Sequence, residues 1–163
     1  MNLVFTFSRG YGTGTSVITD LLSKRFNIPV YGKDYICRGV HDENDMEEQS
    51  KVIRELAKNP CIIVGRGACE VLKGQNNVVN IYVHAAKEDR ITRIAKKEGI
   101  TEEEASSKID RVDKERREFY EKNTGKYWGD FDSFDIILDT SEVPIEQGAA
   151  VIEKYLRYIG DID

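Results

Sequence analysis

The chain has 163 residues, a formal net charge of −5, 40% hydrophobic and 33% charged residues, which suits one globular domain and excludes a disordered segment. The acidic balance, with a pI near 5.2, argues against a broad nucleic-acid or membrane surface, and no apolar run approaches the ~20 residues of a membrane span. The start, MNLVFTFSRG, lacks the pattern of a secretory signal, and Cys37, Cys61 and Cys69 lack metal-ligand spacing, so a cytoplasmic protein with reduced thiols is expected.

Residues 3–7 form an apolar, aromatic run that reads as a first strand, ended by Ser8-Arg9-Gly10. Residues 15–26 place Val17, Ile18, Leu21, Leu22 and Phe26 on one helical face. IPVYG, 28–32, predicts a short second strand, and residues 33–44 show no clear period. Residues 45–58 read as an amphipathic helix with Met46, Val52, Ile53, Leu56 and Ala57 inward, ended by Asn59-Pro60. CIIVG, 61–65, and VVNIYVHA, 78–85, are continuous apolar runs, as expected of strands buried on both faces of a parallel sheet. A charged helix spans 87–97. Thr101 with Glu104 is a capping box that starts a long helix reaching about Asn123. FDIILDT, 134–140, is the last strand, and Pro144 opens a closing helix over 145–159. Strands alternating with helices predict an α/β fold, a five-stranded and mostly parallel sheet with helices on both faces.

The segment FSRGYGTGTSVI, 7–18, sets three glycines between a strand and a helix. Such a loop binds phosphate because glycines let backbone N–H groups turn toward an anion and the helix N-terminus adds its positive dipole end. Aligned on Gly14 with the phosphate-loop pattern G-x-x-x-x-G-K-[ST], the first glycine is Arg9, the lysine is Thr15 and the last position is Ser16. Arg9 is the nearest cation inside the loop, and Ser16 is positioned to ligate Mg²⁺. A dinucleotide loop is the rival: Gly10 and Gly12 fit, Thr15 stands at the third glycine, and Asp34 lies where a ribose-binding acid belongs. A glycine turn without a ligand is the plain structural reading.

Phosphoryl transfer needs fixed cations around the transferred group. VGRGA puts Arg66 directly after a buried strand, where open α/β sheets bind ligands. Arg90 and Arg93 lie three apart on one helical face. The stretch 108–126 carries Arg111, Arg116 and Lys126 among interleaved acids including Asp113. Ion pairs at i,i+4, worth ~0.3–0.5 kcal/mol each, account for its charges but not for Tyr120, Thr124-Gly125-Lys126 and Trp128-Gly129-Asp130. Those predict a mobile lid over about 108–130 that closes on phosphates and excludes water. His84 reads as a satisfied structural histidine, and Cys37 and Cys69 as buried small residues.

VIRELAKNPCIIVGRGA, VVNIYVHAAKEDRITRI, VDKERREFYEKNTGKYWGD and FDIILDTSEVPIEQ together resemble the cytidylate kinase-like family of bacteria, relatives of CMP kinase among the nucleoside monophosphate kinases. The resemblance implies a single P-loop-type three-layer domain. It implies ATP and Mg²⁺ as cofactors and a small nucleotide as substrate, with neither nucleic acid nor membrane as partner. It puts Gly10, Gly12, Thr13, Gly14, Thr15 and Ser16 along the ATP phosphates, with Ser16 on the metal. Arg66, Arg111 and Arg116 become the catalytic arginines. Arg66, Arg90, Asp113 and Lys126 become substrate contacts. The sequence departs from the family at the absent loop lysine, at Gly32 where aspartate is usual, and in a shortened acceptor-binding segment over about 33–58. A phosphotransferase is therefore expected, with a non-catalytic nucleotide-binding domain and a dinucleotide enzyme as the alternatives.

Overall fold

The computed structural model describes all residues from Met1 to Asp163. In chain order the elements are β1 (Val4–Arg9), α1 (Thr15–Phe26), β2 (Val30–Tyr31), α2 (Lys33–Ile36), α3 (Met46–Leu56), β3 (Cys61–Val64), α4 (Ala68–Val71), β4 (Val78–His84), α5 (Lys87–Glu98), α6 (Glu102–Thr124), β5 (Ile136–Asp139) and α7 (Gly148–Ile159). Two 3-10 turns, Phe131–Ser133 and Ile145–Gln147, precede β5 and α7. The sheet runs β2-β3-β1-β4-β5, and every pairing is parallel.

The uninterrupted runs of β1 and β3 follow from burial on both faces, whereas β4, expected to be the same, alternates buried Val79, Ile81 and Val83 with half-buried Val78, Asn80 and Tyr82. Along β1, Phe5 and Phe7 face one core with Ile18 and Leu22 of α1 and Ile152 and Leu156 of α7. Val4 faces the other core, with Ile53 of α3, Ile63 of β3 and Leu72. Each fully buried Leu, Ile or Phe contributes about 1.5–3 kcal/mol, so alternate residues of one strand hold two helical layers. The hairpin of α5 and α6 closes a third, smaller cluster of Ile94, Ala105 and Ile109. Its second helix begins with the capping box predicted for Thr101 and Glu104.

β1 is central, with β3 and β2 on one side and β4 and β5 on the other. The connections reverse direction there, so a crevice opens beyond its carboxyl end. No helix is long and apolar enough to cross a membrane.

Several expectations need correction. Val17 is 41% exposed, because α1 packs through Thr15, Ile18, Thr19 and Leu22 and leaves Val17 at the edge of that stripe. His84 is exposed where β4 leaves the sheet, and Cys37 is only half-buried behind α2, whereas Cys69 is buried as expected. A short helix, α2, opens the aperiodic segment, and another, α4, follows the G-R-G turn unpredicted; each is a single turn, too short for a period to register.

Candidate functional site

The glycine loop between β1 and α1 has a consistent polarity. Every carbonyl from residue 9 to residue 14 accepts a hydrogen bond from protein. Arg116 Nη1 donates to Arg9 O at 3.1 Å and the Thr13 hydroxyl to Gly10 O at 2.9 Å. Arg90 Nη1 donates to Tyr11 O at 3.3 Å and Arg93 Nη1 to Gly12 O at 3.4 Å. The Thr140 hydroxyl donates to Thr13 O at 2.8 Å, and Gly14 O takes the first bonds of α1. The amides do the reverse. Gly10 N–H is used by Val83 O and Tyr11 N–H by Asp113, but the five amides from Gly12 to Ser16 meet no protein acceptor. Five unpaired N–H groups at a helix N-terminus form an anion cradle.

Glycine is required here by space as well as by backbone angle. Gly14 has φ +80°, and a Cβ on it would stand 2.4 Å from Ile145 Cδ1. Gly12 has φ +83° and lies against Ile94 and Arg90. Thr15 cannot replace the absent lysine or bind a metal freely, since it is buried and its hydroxyl is bonded to that of Thr13 at 2.9 Å. Ser16 is exposed with its hydroxyl uncommitted.

Two kinds of arginine surround this loop. Arg90 Nη1 lies 2.7 Å from Asp113 Oδ2, with both side chains largely buried, and its Nε donates to Ala85 O. Asp113 Oδ1 takes the Tyr11 amide at 2.8 Å. Arg93 donates to Thr140 Oγ1 and to Thr140 O at 2.6 Å. These residues pin the loop. Arg90 and Asp113 were predicted as substrate contacts, but here they bond to each other and to the loop.

The second kind lines a cavity of about 520 Å³ beyond the carboxyl ends of β1 and β3, within the usual size range of small-molecule sites. Arg9, Arg66 and Arg116 all border it. Arg66 sits in a G-R-G turn in which all three residues are left-handed, at φ +75°, +57° and +65°. A non-glycine residue there costs roughly 1–2 kcal/mol, a strain that concentrates at functional sites. The Arg66 guanidinium stacks on the Phe119 ring at 3.7 Å and donates to Glu43 O at 3.3 Å and Gln49 Oε1 at 3.4 Å. Gln49 is fully buried, and its Nε2 holds Glu43 O at 2.6 Å. Thus α3 and the 37–45 loop fix Arg66 from behind. Arg116 reaches in from α6.

None of these three arginines has a carboxylate partner. Glu43, Glu115 and Glu118 also border the cavity, but Glu43 pairs with Lys33 at 3.2 Å and Glu118 with Lys114 at 3.8 Å. Burial pushes the Arg9 guanidinium down to about 9, and the adjacent charges of Arg116 and Arg66 push the same way. Burial also lowers Arg66, partly offset by Cys37 and Glu43, and lowers Arg116, partly offset by Asp113. Three mutually repelling cations around one cavity mark a place for an anion.

The predicted site thus divides. Gly12, Thr13, Gly14, Thr15 and Ser16 form the cradle, Gly10 spends its amide on Val83 O and stands outside it, and Arg66 and Arg116 meet in the cavity. Arg90 and Asp113 meet each other. Arg111 is exposed over a shallow depression with Thr101, Glu104 and Lys108, away from both. Five residues of helix turn the chain by about 140° relative to Arg116, so the two cannot share a face. Lys126 is exposed past the end of α6 and does not border the cavity. Phe119, Gln49 and Lys33 belong to the site and were not predicted. Gln49 carried a signal, a polar residue at the inward spacing of Met46 and Ile53.

Comparison with known proteins fits this geometry. A sequence profile of the cytidylate kinase-like family matches residues 39–142, a span that includes Arg66, Arg90, Asp113 and Arg116 but begins after the glycine loop. The cytidylate kinase of Pyrococcus abyssi is 27% identical over 172 residues, covering 96% of this chain and 95% of that one. The cytidylate kinase of Methanopyrus kandleri is 29% identical and covers 86% of each chain. Among solved structures, an uncharacterized protein from Eubacterium ventriosum is similar with a TM-score of 0.89 at 26% identity, over 95% of this chain and 98% of the other. Shikimate kinase from Bacteroides thetaiotaomicron has a TM-score of 0.62 at 16% identity over 95% and 98%, a likeness of fold alone.

Proposed function

The chain belongs to the cytidylate kinase-like family, and from that premise we propose that it is an ATP-dependent phosphotransferase acting on a nucleoside monophosphate. The observation that carries the reading is the juxtaposition just described. An amide cradle with no protein acceptors follows closely on Arg9, which itself borders a cavity whose arginines have no protein carboxylates. A donor phosphate chain suits the first and an acceptor phosphate the second.

In this reading the amides of Gly12 to Ser16 and the N-terminus of α1 hold the donor phosphates. Mg²⁺ would enter as part of the Mg-ATP substrate, and Ser16, exposed with its hydroxyl uncommitted, would be the residue to hold it. Arg66, fixed by Gln49 and Phe119, holds the acceptor phosphate. An oxygen of that phosphate forms a bond to the γ-phosphorus. The bond from the γ-phosphorus to the bridging oxygen breaks, and its electron pair leaves on ADP. The acceptor oxygen is already anionic, so no strong base is needed. Arg116 neutralises the charge spread over the transferring group, and each such contact contributes a few kcal/mol to the barrier reduction. The acceptor wall is the shortened segment 33–58, with Lys33 and Asn44 at its rim. The lid function falls to α6, which grips the loop through Asp113 and Arg116.

A coupled assay of ADP release with Mg-ATP and a panel of CMP, dCMP, UMP, AMP and GMP tests the reading. ADP formation with at least one acceptor supports it. Stabilisation by Mg-ATP without turnover on any acceptor would instead identify a non-catalytic nucleotide-binding domain.

A further inference from the structure

The glycine loop has no lysine where such loops carry one, and Thr15 at that position is buried and bonded to Thr13. Something else must supply the missing charge. Resting on the phosphotransferase reading above, we propose that Arg9 supplies it, from the acceptor side of the transferring phosphoryl group, in one anion site with Arg66 and Arg116.

Arg9 is the last residue of β1 and directly precedes the loop. Its guanidinium crosses to the end of β3 and lies over Gly65, where a Cβ would stand 2.9 Å from Arg9 Nη1. Glycine at 65 therefore clears the path for this side chain. Only the main-chain carbonyl of Arg9 is engaged, by Arg116. The guanidinium makes no hydrogen bond or ion pair, yet none of its nitrogens is sealed from the cavity. A structural arginine of this burial ordinarily holds carbonyls or carboxylates, as Arg90 and Arg93 do nearby. Arg9 instead stands half-buried, charged and without a partner beside two more cations. Burial and repulsion cost the folded chain stability, and an anion bridging the three would relieve that cost. A lysine at position 15 would sit at the start of α1. Arg9 delivers its charge from the strand behind the loop, between the donor cradle and the acceptor cavity.

The test compares Arg9→Met and Arg9→Lys with wild type by two measurements, ADP release with the best acceptor of the panel and thermal unfolding with and without inorganic phosphate. Arg9→Met is expected to lose about 100-fold in kcat, while Arg9→Lys keeps most of it. In phosphate-free buffer the Tm of Arg9→Met is expected to equal or exceed that of wild type, because an unpaired charge is removed. Phosphate is expected to raise the Tm of wild type clearly more than that of Arg9→Met, which keeps Arg66, Arg116 and the loop amides but lacks the third cation. Wild-type turnover in Arg9→Met overturns the proposal, and so does a fall in its phosphate-free Tm, which marks a structural residue. If wild type transfers phosphate to no acceptor, the kinase reading fails separately. The phosphate measurement then decides for Arg9 alone, and equal stabilisation of wild type and Arg9→Met overturns it.

Discussion

The two sides of the glycine loop use the same residue type for opposite purposes. On the α5 side, Arg90 and Arg93 spend their donors on Asp113, Thr140 and the loop carbonyls. On the β3 side, none of Arg9, Arg66 and Arg116 pairs with a carboxylate, and Arg66 is held by a carbonyl, an amide oxygen and an aromatic ring. A paired arginine in a part-buried site holds architecture, and removing it leaves a partner stranded. An unpaired one costs stability until a ligand arrives, a trade familiar at sites that keep function at the expense of stability. Partnership rather than position in the chain separates the two groups.

That distinction predicts opposite responses to substitution. The largest effect is expected for Arg90→Ala, which strands Asp113 and frees the Tyr11 carbonyl. Urea unfolding is expected to show a loss of about 3 kcal/mol, and a loss under 1 kcal/mol would mean that the pair does not hold the loop. Gly14→Ala comes next, with about 1–2 kcal/mol from its left-handed backbone and displacement of Ile145 from the loop. Its diagnostic readout is calorimetry with Mg-ATP, where affinity is expected to fall at least tenfold because the cradle amides turn away.

A smaller effect appears in the pH dependence. The Arg9 proton is held less tightly in the folded chain, at about 9, well below the ordinary guanidinium range. Above pH 9 the unfolded chain therefore binds more protons, and the Arg9 contribution to stability rises with pH there. Below pH 9 its charge destabilises the fold fully. The stability advantage of Arg9→Met over wild type, about 1 kcal/mol and read as about 3 °C in Tm, should shrink as pH rises through 9. An advantage that grows instead would contradict the repulsion. Smallest of all is Arg111→Ala, an exposed side chain outside the cavity. It should change kcat less than about twofold and stability less than about 0.5 kcal/mol.

The fold was legible where burial is two-sided. CIIV read as a strand because both faces of the sheet are covered there, and VVNIYVH because Val79, Ile81 and Val83 alternate with less buried residues; the glycine turn between strand and helix was legible from Gly10, Gly12 and Gly14. The arginines were legible as a population but not individually. Nothing local distinguishes Arg90, which meets Asp113 across 23 positions, from Arg116, which meets the Arg9 carbonyl across 107. Arg111 is different, since helical periodicity alone puts it off the face of Arg116. Arg66 was identified by its place after a buried strand, but its support by Gln49 and Phe119 depends on how α3 and α6 pack, which no single segment encodes.

In the proposed reading the cradle takes the donor and the unpaired arginines take the acceptor. Initial rates of Arg66→Ala, with Mg-ATP and the best nucleoside monophosphate varied in turn, test it most directly. Losing a charged contact worth about 2 kcal/mol should raise the acceptor KM roughly 30-fold. The KM for Mg-ATP should stay within about threefold of wild type. Equal rises in both would contradict the division of the site.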